Sequence, residues 1–258
     1  GEKGSLASLA VNIGGIYSDL GDVDSAMRFT KEGLELFKKM GDKSGTATAL
    51  NNIGNAYFDM GVADEALKCY LEAYALRSAI GDRYGTAMSL LNIGDEYSDM
   101  GEPGKALEHY DRGLAIFTEI GEKRGVAHVC TSMVEFHLQA GDTGKALECA
   151  NRAMEICLEI GARFEEAMTR HMLALVYRKK KDFTTAAEEF DKAITMFSEL
   201  KGGKDLAKVY YHYGLMSMEK GDAAAARDWL SKAMPMFEKM GMKSWTEKGK
   251  TAMSEAEA

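Results

Sequence analysis

Residues 41–81 read GDKSGTATALNNIGNAYFDMGVADEALKCYLEAYALRSAIG, and the spacing inside this stretch decides the fold. Ala47, Leu50, Ile53, Gly54 and Tyr57 recur at intervals of three and four. That is the period of one face of an α-helix, whereas a strand would alternate. Gly61 breaks the series, and a second one follows through Ala66, Tyr70 and Ala73 before Gly81 breaks it again. The stretch is therefore predicted to be two helices with a glycine turn after each.

Working outward, the same unit recurs every 40 residues. One ladder of turns runs Gly21, Gly61, Gly101, Gly141 and Gly221, with Lys181 at the expected fifth site. A second, half a period away, runs Gly41, Gly81, Gly121, Gly161 and Gly241. Gly41-Asp42, Gly81-Asp82 and Gly141-Asp142 each set a helix-ending glycine beside a residue that favours helix entry. The chain is predicted to be a single array, 1–258, with repeats at about 1–40, 41–80, 81–120, 121–160, 161–200 and 201–240 and a polar cap over 241–258. Pro235 falls inside the sixth second helix, where it is expected to kink it.

Gly14, Gly54, Gly94 and Gly214 lie in mid-helix, where each costs about 1 kcal/mol against alanine. Such a cost implies close approach of a neighbouring helix. Small residues at Ala26, Ala66, Ala106, Ala146, Ala186 and Ala226 serve the same end, while Tyr or Phe fills the space beyond. One hairpin cannot bury its apolar face alone, so the hairpins must stack.

The series Leu50, Ile53, Gly54, Tyr57, Ala66, Tyr70, Ala73 resembles the tetratricopeptide repeat, whose pattern is W-x2-L-G-x2-Y followed by A-x3-F. It recurs as Ala10, Ile13, Gly14, Tyr17, Ala26; as Leu90, Ile93, Gly94, Tyr97, Ala106, Tyr110; and as Arg170, Leu173, Ala174, Tyr177, Ala186, Phe190, Ala193. The fourth repeat departs with Cys130, Met133, Val134, His137 and Ala150, and the sixth with Ser217 and Leu230. The 40-residue length and the wording Asn52-Ile53-Gly54-Asn55-Ala56-Tyr57 are similar to the arrays of the Pins/LGN G-protein regulators and kinesin light chains. The resemblance implies an all-α fold, an alpha-alpha superhelix of six helical hairpins plus a C-terminal capping helix.

It also implies a non-enzymatic scaffold that binds a protein or extended peptide in a concave groove lined by the first helix of each hairpin. The expected groove residues are Asn12 in the first repeat; Asn51, Asn52, Asn55 and Asp59 in the second; Asn92, Asp95 and Asp99 in the third; Glu135 in the fourth; and His171 and Arg178 in the fifth. An asparagine amide both donates and accepts, which suits an extended peptide backbone. Bonding to neighbouring helices is the competing role for these side chains. Asp95 and Asp99, repeated as Asp19 and Asp59, read as a solvated acidic face rather than an acid/base pair. The arginines that the Pins/LGN groove sets against acidic peptides are replaced by Ser8, Thr48 and Met88, and Val11 and Asn51 stand where a chaperone-tail clamp would carry lysine. Neither set of partners transfers.

Residues 1–160 carry 15 Lys+Arg against 25 Asp+Glu, and residues 161–258 carry 17 against 15. A neutral to basic partner is expected at the amino-terminal half. With a net charge of −8, nucleic-acid binding is not expected. Gly101-Glu102-Pro103-Gly104-Lys105 and Gly141-Asp142-Thr143-Gly144-Lys145 have the wrong glycine spacing for phosphate loops. The five His show no metal-ligand spacing, and no catalytic motif appears, so no cofactor, metal or catalytic residue is expected. Cys69, Cys130, Cys149 and Cys157 form no C-x-x-C pair, and no apolar run reaches membrane-spanning length, so a cytoplasmic protein is expected. A sensor or regulatory domain of a larger signalling or transcriptional protein, and a self-associating array, are the alternative functions.

Overall fold

A computed structural model describes residues 2–257, and within them every side chain but those of Glu2 and Asp19. The reading of Asp19 as part of an acidic face thus lies outside the described residues. The described chain is helical throughout, with turns between helices. First helices are α1 (Glu2–Leu20), α3 (Lys43–Met60), α5 (Arg83–Asp99), α7 (Lys123–Gln139), α9 (Arg163–Lys179) and α11 (Gly203–Glu219). Second helices are α2 (Val23–Met40), α4 (Ala63–Ala79), α6 (Pro103–Glu119), α8 (Thr143–Ile160), α10 (Phe183–Leu200) and α12 (Ala223–Lys239), and α13 (Lys243–Glu257) ends the chain. The packing divides into two compact units, Gly1–Glu122 with Lys239–Ser244, and Lys123–Glu238 with Trp245–Ala258.

Local chemistry sets the helix ends. Asp22, Asp42, Asp82, Asp142, Asp182 and Asp222 each accept a hydrogen bond from the backbone N–H three residues on, at 2.9–3.2 Å. Each satisfies one donor that the first helical turn leaves unpaired. At the other end Gly41 takes a left-handed φ of 69°, and the N–H groups of Gly41 and Asp42 bond back to Lys38 and Phe37. Lys181 (φ 63°) and Lys201 (φ 59°) adopt the same conformation without being glycine. α12 continues through Pro235 as an uninterrupted helix.

Close approach inside each hairpin follows a size rule that the repeat pattern only hints at. A Cβ on Gly54 would stand 2.5 Å from the Tyr70 ring, one on Gly94 2.6 Å from Tyr110, and one on Gly214 2.9 Å from Leu230. In the fourth repeat the partners exchange sizes. Val134 occupies the glycine position and packs with Ala150, which holds the tyrosine position. There a larger first-helix residue faces a smaller second-helix one, which keeps the contact filled while the residues differ.

Within each unit a second joint stacks a first helix on the second helix of the hairpin before it, α3 on α2, α5 on α4, α9 on α8 and α11 on α10. Ala49, Ser89, Thr169 and Val209 are fully buried there, and Val129 of α7, at the same register, is fully buried as well. Ala56, Glu96, Phe136, Val176 and Met216 form a second buried row seven residues on. Glu96 alone in that row is charged, and it is only 2% exposed.

Candidate binding surfaces on the first helices

In the first unit, the expected groove residues of α3 and α5 are linked across the helices. Asn92 Nδ2 donates to Asn51 Oδ1 at 2.9 Å. Arg77 Nη1 on α4 reaches the same Asn51 oxygen at 3.5 Å and donates to the Gly85 carbonyl and Ser89 Oγ, each at 3.0 Å. One guanidinium therefore ties α4 to both neighbouring first helices. Two tyrosines do similar work within hairpins, Tyr70 OH donating to Asn55 Oδ1 at 2.9 Å and Tyr110 OH to Asp95 Oδ1 at 2.8 Å.

Asn52 is half-buried and lines a recess of about 170 Å³ with Gly14, Gly15, Ser18, Thr30 and Asn55. Asn12, at the same register one repeat earlier, is exposed. Asp59 is half-buried at the end of α3, Asp99 is exposed at the end of α5, and Glu135 is exposed on α7 of the second unit.

The acidic character of the first unit centres on Glu96, which the sequence reading passed over. Its carboxyl is held up at about 7, by burial first and then by the charges of Asp99, Asp95 and Asp64. Its Oε2 has no hydrogen-bond partner among the described residues. The signal was available in the repeat itself, because a carboxylate stands at a register that holds Ala56 and Phe136 in the flanking repeats.

In the second unit, His171 of α9 and His212 of α11 meet through Nε2 and Nδ1 at 2.8 Å. Only one of two neutral rings need carry the shared proton. Burial holds both rings below the ordinary histidine range, with Lys208 adding to it for His171 and the neighbouring His171, Arg178, Lys208 and Lys248 for His212. Trp245 of α13 packs edge-on against Tyr211 at 5.6 Å and His212 at 5.7 Å between ring centroids. Lys208 and Lys248 stand over its ring at 5.3 and 4.7 Å. Arg178 pairs with Glu219 at 2.8 Å, and Lys181 joins the same carboxylate at 3.1 Å. Trp245 and its lysines were not expected, since α13 is otherwise polar and its tryptophan finds a role only when α11 is brought beside it.

Among the described residues, no group of His, Cys, Asp or Glu has the arrangement to hold a metal ion, and no helix is long and apolar enough to cross a membrane. The four cysteines are free thiols, with Cys69, Cys130 and Cys157 buried.

The backbone is similar to several solved structures at low identity. The apo form of RapI superposes with a TM-score of 0.75 at 16% identity, over 92% of this chain and 85% of that one. Aspartyl phosphate phosphatase F from Bacillus subtilis gives 0.75 at 15%, over 91% and 60%. The Rap conjugation gene regulator of plasmid pLS20, in complex with the Phr* peptide, gives 0.72 at 15%, over 96% and 73%. No curated protein matches significantly. The tetratricopeptide repeat pattern itself matches residues 7–40, 45–119, 127–199 and 165–239. With the glycine-capped hairpins, the close glycine–tyrosine contacts and these matches taken together, the chain belongs to the tetratricopeptide repeat family.

Proposed function

We propose that this chain is a non-enzymatic scaffold that holds an extended segment of a partner protein against its first helices. The observation that carries the reading is the amide row of the first unit. Asn12, Asn52 and Asn92 share one register on α1, α3 and α5, and Asn52 opens onto the recess beside Gly14 and Gly15. Gly15, with open space where a Cβ would stand, leaves room for a backbone to approach, and an amide satisfies both the N–H and the C=O of an extended chain. A fold neighbour that was solved with a peptide supports the same use of this architecture.

The chemistry favours a neutral to basic segment at the first unit. Asp95, Asp99 and Asp64 surround Glu96 there, and the net charge of that half of the chain is negative. In the second unit, Lys208 and Lys248 stand over the Trp245 ring, and Arg178 lies near the His171–His212 pair, which suits an acidic or carboxylate group. Asn51, Asn55 and Asp95 contribute chiefly by holding the helices in register through their bonds to Asn92, Tyr70 and Tyr110.

Selection of peptides on the full chain, followed by titration of the winners, tests the reading. Asn12→Ala and Asn52→Ala together should weaken binding on the order of ten-fold without altering the melting temperature, as loss of about 1.4 kcal/mol of directed contact in total implies. Binding should also weaken with salt. Selected peptides indifferent to both substitutions would remove the amide row as the site.

A further inference from the structure

Helix α1 presents an apolar stripe that the rest of the molecule does not cover. Leu6, Leu9, Ile16 and Leu20 are 52%, 54%, 58% and 63% exposed, and half-buried Ile13 lies between them. The spacing of three, four and seven puts all five on one face. This face is the stacking joint. Residues 40, 80, 120, 160 and 200 positions beyond Leu9 are Ala49, Ser89, Val129, Thr169 and Val209, all fully buried. Those beyond Ile16 are Ala56, Glu96, Phe136, Val176 and Met216, all buried as well. Where a covering helix exists these registers hold residues as small as alanine and serine, whereas α1 carries leucine and isoleucine in the open. Large side chains on an uncovered joint have the chemistry of an interface.

We propose that the stripe is the contact with a second copy of this chain, two α1 helices packing antiparallel across a two-fold axis near Ile13. Three observations select this occupant. First, between Lys3 and Asp19 the helix has no charged residue, so the face can meet itself without opposing like charges. Second, antiparallel pairing centred on Ile13 sets Leu6 of one copy opposite Leu20 of the other and Leu9 beside Ile16. It also brings exposed Lys3 at one helix end to exposed Asp22 at the other, which gives self-complementarity of the kind a two-fold interface requires. Third, head-to-tail stacking is disfavoured by α13, whose outward residues Lys243, Glu247, Lys248, Lys250 and Glu255 are exposed and charged.

Ser5 and Ser8 flank the stripe and are small enough for two helix axes to approach to about 8–10 Å. Four exposed side chains make a patch on the order of a few hundred Å², short of the ~800 Å² per partner of a standard interface. The dimer is therefore weak and forms in the micromolar range.

Sedimentation of the full chain from about 1 to about 300 μM reads the proposal directly, spanning the range where such an interface half-dissociates. The mass should rise from the 28.2 kDa of one chain toward twice that value. Leu9→Lys and Ile16→Lys, both at exposed positions, should keep the circular dichroism and melting temperature yet remain monomeric throughout. Ile13→Cys, placed on the two-fold axis, should form an intermolecular disulfide under mild oxidation, whereas Ser8→Cys beside the stripe should not. A wild-type chain that stays monomeric at the highest concentration overturns the proposal and leaves the stripe to a helix of another protein. A dimer that survives both lysine substitutions, or that fails to cross-link through residue 13, overturns it equally by placing the contact elsewhere.

Discussion

Lys201 ends α10 with a φ of 59°, as Lys181 ends α9 at 63°, where ten other helices of the described chain are followed by a left-handed glycine. A side chain in that conformation costs about 1–2 kcal/mol, which glycine avoids. Lys201→Gly should stabilise the chain by about 1 kcal/mol in urea unfolding, part of the gain being returned because glycine also loosens the unfolded state. Glu96 is the second residue whose surroundings oppose it. Its carboxyl keeps a proton between pH 4.5 and about 7 in the fold, whereas the unfolded chain has released it. The folded state binds more protons across that window, so stability present on the acid side is lost as pH rises through 7, on the order of 2–3 kcal/mol. Glu96→Gln should flatten the unfolding midpoint between pH 5 and pH 8, and a profile as steep as the wild type's would place the titration elsewhere.

Between elements, the exchange of sizes in the fourth hairpin makes a prediction that a single repeat could not. Gly54→Val should destabilise by about 1–3 kcal/mol, because its Cβ alone would stand 2.5 Å from the Tyr70 ring. Tyr70→Ala alone should cost about 3–5 kcal/mol through the cavity it leaves, and it also strands Asn55 Oδ1. The double substitution copies the Val134–Ala150 arrangement of the fourth repeat and should recover part of both losses. A double-mutant cycle with no coupling would show that the pair does not share one volume. The repeated capping aspartates act at the same scale, and Asp42→Ala should cost about 1 kcal/mol by leaving the Gly45 N–H unpaired.

For the molecule as a whole, Glu96 in the first unit and the histidine pair in the second respond to pH in opposite directions. In the second, burial lowers the pKa of both His171 and His212, so the unfolded chain takes up protons below about 6.5 while the fold resists them. Stability there declines as pH falls from 6.5, while the Glu96 contribution declines as pH rises through 7. Amide exchange followed by fragment should show α9 and α11 loosening first at pH 5, and α4 and α5 loosening first at pH 8. His212→Gln should remove much of the acid-side decline, and a persistent decline in that variant would assign it to other groups.

The amino-acid sequence by itself determined the helix period, the 40-residue repeat, the glycine turns and the family, because each is set by contacts a few residues apart or by spacing that recurs. It also marked the mid-helix glycines as sites of close approach, and Gly54 and Gly94 do lie against Tyr70 and Tyr110. What only the tertiary structure decided is which polar side chains face one another. Asn51 and Asn92 are 41 residues apart and bond directly, and His171 and His212 stand at the same separation. That one-residue offset from the repeat arises from how neighbouring first helices pack, and no period in the sequence contains it. The same holds for the size exchange between Val134 and Ala150, which reads as a departure until the two are seen in one cluster. It holds too for the stripe on α1, whose leucines look like core residues in the sequence and are exposed because burial depends on whether another helix covers the face.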